Sequence, residues 1–198
     1  MRLLVTALAC LISVSVFGQT AKDYFDKARN NESDWQYQID NYTKCLLIDP
    51  DAADAYFYRG IASNELGRYE DAIADFTKAI SIDPDDVLAY NNRGLSYSKL
   101  GNEFAAIVEF MSAIKIDPDN ANLYYNIGVS YMELENHEYA ITEFTKAIII
   151  DPDYASAYNN RGISKYLSGF EGCSDLMEAI KIGGVECVHP DALKTICE

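Results

Sequence analysis

"AYNNRG" stands at residues 89–94 and again at 157–162, with "LYYNIG" between them at 123–128 and "AYFYRG" before them at 55–60. The four stretches begin 34 residues apart (89 minus 55, 123 minus 89, 157 minus 123). A fixed step invites a test of every other column at that step. Ile-Asp-Pro ends at Pro50, Pro84, Pro118 and Pro152, again 34 apart. Gly60, Gly94, Gly128 and Gly162 keep the step, as do Ala72, Ala106 and Ala140. So do Phe76, Phe110 and Phe144, and then Ala79, Ala113 and Ala147. Columns this well in register mean a structural unit copied along the chain.

The spacing inside the unit predicts two helices. Tyr90, Gly94 and Tyr97 fall at i, i+4 and i+7 and share one helical face. Ala106, Phe110 and Ala113 repeat that spacing on a second helix. A mid-helix glycine costs about 1 kcal/mol in propensity relative to alanine, so its recurrence implies a close helix crossing filled by a neighbouring aromatic ring. Asp-Pro ends the second helix, because proline lacks a donor and restricts the residue before it. An aspartate after the proline (Asp85, Asp86 or Asp119) is then placed to cap the next helix. Each unit reads as a helical hairpin that buries its faces only by stacking. Calcium binding at Asp-Pro-Asp is not supported, because the glycine and distal glutamate of a loop site are missing.

With Gly, Tyr, Ala, Phe, Ala and Pro at these places in a 34-residue unit, the chain resembles the tetratricopeptide repeat family. The resemblance implies an all-α fold, a right-handed α-α superhelix of about five helical hairpins plus a short C-terminal capping helix. It covers residues 19–182, in units near 19–52, 53–86, 87–120, 121–154 and 155–182, with 183–198 as a capping segment. Both ends are degenerate: Asp26 stands in the glycine column, Gln38 in the first alanine column, and Glu186 where proline is expected. Terminal repeats have one face without a neighbour, so such departures are expected there.

The resemblance also implies a binding face. In this family the first helix of each unit lines a concave groove, and the position two before the glycine looks into it. Here that column holds Tyr58, Asn92, Asn126 and Asn160, with Phe57, Asn91, Tyr125 and Asn159 beside it. An amide offers donor and acceptor together and so suits the backbone of an extended peptide. The alternative is that these asparagines only tie neighbouring helices. Arg59, Arg93 and Arg161 precede the glycines and are expected to pack their stems and pair with an acid of the adjacent helix. The lysine clamp with which some members grip a carboxylate tail is absent, since Phe57, Asn91 and Tyr125 stand where it needs cations.

The first 18 residues open on Arg2 and run uncharged and mostly apolar from Leu3 to Phe17. This is a secretory signal pattern, too short for the roughly 20 residues of a spanning helix. Removal before Gln19 is the expectation; a retained anchor, or a lipid on Cys10, stays open. Export to the cell envelope, periplasmic or secreted, follows from that reading. Sixteen Lys and Arg against 31 Asp and Glu give a net charge of −15. Such a surface repels phosphate backbones, which argues against nucleic acid.

An exported chain can form disulfides. "GFEGCSDLMEAIKIGG" resembles the closing unit of exported bacterial repeat proteins, which end on a last cysteine. This implies a Cys173–Cys197 staple, with Cys187–Cys197 or no bond as alternatives. Gly183 and Gly184 read as a helix C-cap. Pro190 starts a short helix whose Leu193 and Ile196 cover the last hairpin. Cys45 falls in an alanine column and reads as a buried small residue, and His137 falls in a mid-repeat turn. No nucleophile–base pair, metal cluster or phosphate loop stands out, and no cofactor is expected. The reading is a non-enzymatic scaffold for a protein or extended peptide, with no small-molecule substrate evident. Its rivals are a self-associating envelope subunit and an enzyme accessory protein.

Overall fold

A computed structural model describes residues 19–31, 33–184 and 188–197. The expected leader 1–18, with Cys10, and Cys187 lie outside the described residues. Eleven helices stand among those described. Two compact units divide the chain, one ending at Ile82 and the other beginning at Asp83. The first unit holds α1 (Ala21–Arg29) and α2 (Trp35–Ile48), then α3 (Ala53–Glu65) and α4 (Tyr69–Ile82). The second holds three hairpins and a closing helix. Its hairpins are α5 (Val87–Lys99) with α6 (Glu103–Ile116), α7 (Ala121–Glu133) with α8 (His137–Ile150), and α9 (Ala155–Leu167) with α10 (Cys173–Gly183). The closing helix is α11 (Pro190–Cys197).

Helix ends follow local chemistry. Thr20 and Asp23 form a reciprocal capping box at α1, while Asp34 and Asp86 accept from backbone N–H groups at 2.9 Å to cap α2 and α5. Of the three aspartates expected to cap, Asp86 does so, whereas α7 starts at Asn120 without a side-chain cap bond. In three of the four Ile-Asp-Pro turns the aspartate before the proline has a different job. Asp49, Asp83 and Asp151 accept from the N–H two residues on, at 3.1–3.2 Å, a turn-forming bond characteristic of aspartate. His137, expected in a turn, opens α8.

Close crossing explains the glycine columns. Phe76, Phe110 and Phe144 are fully buried, and a Cβ placed at Gly60, Gly94 or Gly128 would stand 2.6–2.8 Å from their rings. The alanines at 72, 79, 106, 113, 140 and 147 have no exposed surface. In the first hairpin Gln38, although in an alanine column, is buried and donates to the Asn31 carbonyl at 2.7 Å.

The last hairpin is two residues shorter. Phenylalanine follows glycine by 16 positions in the three regular units (76 minus 60, 110 minus 94, 144 minus 128), but Leu176 follows Gly162 by 14. The shortening falls between Gly169 and Gly172, and it brings backbones together: a Cβ at Gly172 would collide with the Gly162 carbonyl oxygen. α10 ends at Gly183, and Gly184 takes φ +85°, as a glycine C-cap should. Leu193, Ile196 and Cys197 of α11 pack on Leu176, Ala179 and Val188. Cys173 and Cys197 are joined in a disulfide, and Cys45 is free and buried.

Candidate functional site

The residues singled out as a groove divide between the two units. In the first, Phe57 and Tyr58 pack inward. Tyr58 stacks on Tyr42 with ring centroids 6.1 Å apart and meets Phe25 edge-on at 5.9 Å. Phe57 tilts against Phe76 at 5.9 Å. These two rings serve the hydrophobic packing of that unit.

In the second unit the same columns form a row of half-buried amides on α5, α7 and α9. Asn126 Nδ2 donates to Asn91 Oδ1 at 2.9 Å, and Asn160 Nδ2 donates to the Tyr125 hydroxyl at 3.1 Å. Each bond links first helices of successive hairpins. Asn159 Nδ2 donates to Asn160 Oδ1 at 3.2 Å, while Asn92 turns back to its own helix and donates to the Leu88 carbonyl at 2.8 Å. Tyr125 stacks on Tyr154 at 5.0 Å, and Tyr154 donates its hydroxyl to Asn122 at 2.7 Å. Burial pushes the Tyr154 hydroxyl up to about 12. Burial also raises that of Tyr125, against the opposing hydrogen bond from Asn160. Both stay neutral hydroxyls at ordinary pH. Leu88 and Leu95, seven apart on α5 and both exposed, border the amides with apolar surface.

The arginines beside the glycines face acids of the second helix. Arg59 forks onto Asp75 at 2.8 and 2.6 Å and donates to Thr43 at 3.0 Å. Arg161 repeats this on Asp175 at 2.8 Å through both nitrogens, with Thr145 at 3.2 Å. Arg93 pairs with Glu109 at 2.6 Å. Such forks fix helix orientation as well as contributing energy. Burial alone would raise the Asp175 carboxyl, but hydrogen bonds from Arg161 and Lys165 win and hold it below the usual carboxylate range. The acid partners went unremarked in the sequence, although a signal exists: an acid stands 16 residues after each regular arginine. Where Ile127 replaces arginine, Glu143 pairs instead with Lys146 at 2.7 Å.

Among the described residues, no group of three or more His, Cys, Asp or Glu is placed to hold a metal ion. Among them, too, no helix is long and apolar enough to cross a membrane.

Residues 62–101 and 105–135 match a family described as TPR repeat. Residues 121–154 and 41–74 match two families, each described as Tetratricopeptide repeat. No curated protein matches the chain. Among solved structures, the MamA protein is 26% identical, with 83% of this chain and 92% of that one covered and a TM-score of 0.77. MamA 41-end from Desulfovibrio magneticus RS-1 is 19% identical, with 84% and 96% covered and a TM-score of 0.77. YrrB, described as a TPR protein with an unusual peptide-binding site, is 21% identical, with 93% and 96% covered and a TM-score of 0.74. At the identities of the last two, the likeness is one of fold.

Proposed function

The chain belongs to the tetratricopeptide repeat family, and from that premise we propose that it is a non-enzymatic scaffold that holds a protein or an extended peptide. The binding face is the row of first helices α5, α7 and α9, with Asn92, Asn126 and Asn160 meeting the partner's backbone and Asn91, Tyr125 and Asn159 supporting them. One observation carries this reading. The amides of Asn126 and Asn160 are already held by bonds between successive hairpins. Side chains fixed before binding lose less entropy when a partner arrives. Leu88 and Leu95 add apolar contact beside them. YrrB's peptide-binding site supports the view that this fold suits such a task. The apolar, uncharged run from Leu3 to Phe17 supports export, and an exported chain would meet its partner in the cell envelope.

The test is a triple substitution, Asn92→Ala with Asn126→Ala and Asn160→Ala, compared with wild type in capture from envelope extract. Loss of specific partners with helicity retained is expected, and unchanged capture rules the face out. Self-association is a second reading with an observation of its own: Phe104, Val108 and Met111 form an outward apolar stripe on α6, 72%, 60% and 52% exposed. Light scattering of the same samples separates a monomeric binder from an assembling subunit.

A further inference from the structure

The column that holds Tyr56, Tyr90, Tyr124 and Tyr158 continues backward to Lys22 (56 minus 34). In the last three hairpins this ring fills space beside the small residues of the second helix. Tyr90 packs on the cluster of Ala106 and Ala113, Tyr124 on that of Ala147, and Tyr158 on that of Leu176 and Ala179. Three of the four rings also lie under the guanidinium three residues on: Arg59 over Tyr56 at 5.5 Å, Arg93 over Tyr90 at 5.5 Å and Arg161 over Tyr158 at 5.3 Å. The first hairpin reverses the order, with the cation at Lys22 and the ring at Phe25.

Lys22 is exposed, and a cavity of about 440 Å³ opens beside it. Ala21, Phe25, Cys45, Ala52 and Ala53 supply its apolar lining, and carboxylates, Asp49 among them, stand at its edge. The volume falls within the range of small-ligand pockets.

We propose that this pocket receives the ring of a tyrosine side chain from a protein partner. The last three hairpins show which group the space beside the second helix accepts, and in each it is a tyrosyl ring. Phe25 offers an aromatic wall for an edge or offset contact, a geometry that adds to simple burial. The carboxylates accept the phenolic hydroxyl, which an aliphatic side chain lacks. The site shares no residue with the asparagine face; only the choice of a polypeptide as the source of the ring rests on the protein-binding reading.

The test uses the full chain with alanine methyl labels and N-acetyl-L-tyrosinamide as the probe, N-acetyl-L-leucinamide serving as comparison. The methyl resonances of Ala21, Ala52 and Ala53 should shift on titration, with a Kd of about 1 mM as befits so small a ligand. Leucinamide should bind several-fold more weakly. Lys22→Tyr should fill the cavity from within, raise the melting temperature and weaken the probe at least tenfold. Absence of the methyl shifts, equal shifts with leucinamide, or undiminished binding by Lys22→Tyr would each overturn the assignment, whatever else occupies the pocket. The triple asparagine variant should bind the probe as wild type does; loss of binding there would also overturn it, whereas failure of the asparagine face alone would leave the pocket standing.

Discussion

Glu135 carries a left-handed backbone, φ 56°, in the column where Gly67, Gly101 and Gly169 take 71°, 74° and 79°. The turn that ends the first helix of these four hairpins needs this conformation, because the next N–H must reach back five residues. Arg68 does so to Ser63 at 2.9 Å, and Asn136 does so to Tyr131 at 2.8 Å. A side chain there costs about 1–2 kcal/mol, while glycine's larger unfolded-state entropy returns up to about 1 kcal/mol of that difference. Glu135→Gly should therefore stabilise the protein by up to about 1 kcal/mol. A urea unfolding midpoint that stays level or falls would contradict this. Gly94 is glycine for another reason, since the ring of Phe110 occupies the place of its missing Cβ. One residue type thus answers two demands, and its place in the hairpin tells them apart.

At the scale of elements, the ion pairs show how a helix pair is held in orientation. Shortening the turn between α9 and α10 moves the acid from 16 to 14 residues after the arginine, yet Arg161 still forks onto Asp175. The register of α10 is therefore kept by the pair and by the contact of Leu176 with Gly162. Asp175 is nearly buried, its side chain 7% exposed, so removing the charge leaves Arg161 without its ionic partner. Asp175→Asn should cost about 3 kcal/mol at pH 7. Its carboxyl titrates lower folded than unfolded. The stability it contributes is then fully present above the unfolded value near 4 and is lost as pH falls through the lower folded value. Wild type and variant should converge in chemical denaturation as pH drops from about 5 to 2. A gap that stays constant over that range would assign the effect to packing instead of charge.

At the scale of the whole molecule, the fold was legible because each recurring column is a packing requirement. Phe110 facing Gly94 is readable from spacing alone. The shortened last hairpin was not, because a test at a fixed step of 34 carries alignment past Gly169 without registering two missing residues. The amide row was legible as a face, but its bonds were not. Asn126 meets Asn91 only because of side-chain rotation on two helices, which no spacing dictates. Charge belongs wholly to this scale. The net charge of −15 makes the compact chain repel itself, whereas the pairs at Asp75, Glu109 and Asp175 attract. Salt weakens both, but unequally: exposed charges more than a Debye length apart, about 10 Å at 0.1 M, are largely screened, and partly buried pairs much less so. Repulsion should therefore lose more than attraction. Raising sodium chloride from about 0.01 to 0.15 M should stabilise the chain by roughly 1 kcal/mol, or about 2–4 °C at the midpoint of helix loss. Sodium sulfate at equal ionic strength separates screening from surface exclusion, because screening alone predicts the same rise with both salts. A midpoint that falls with salt would mean that the internal ion pairs outweigh the acidic surface.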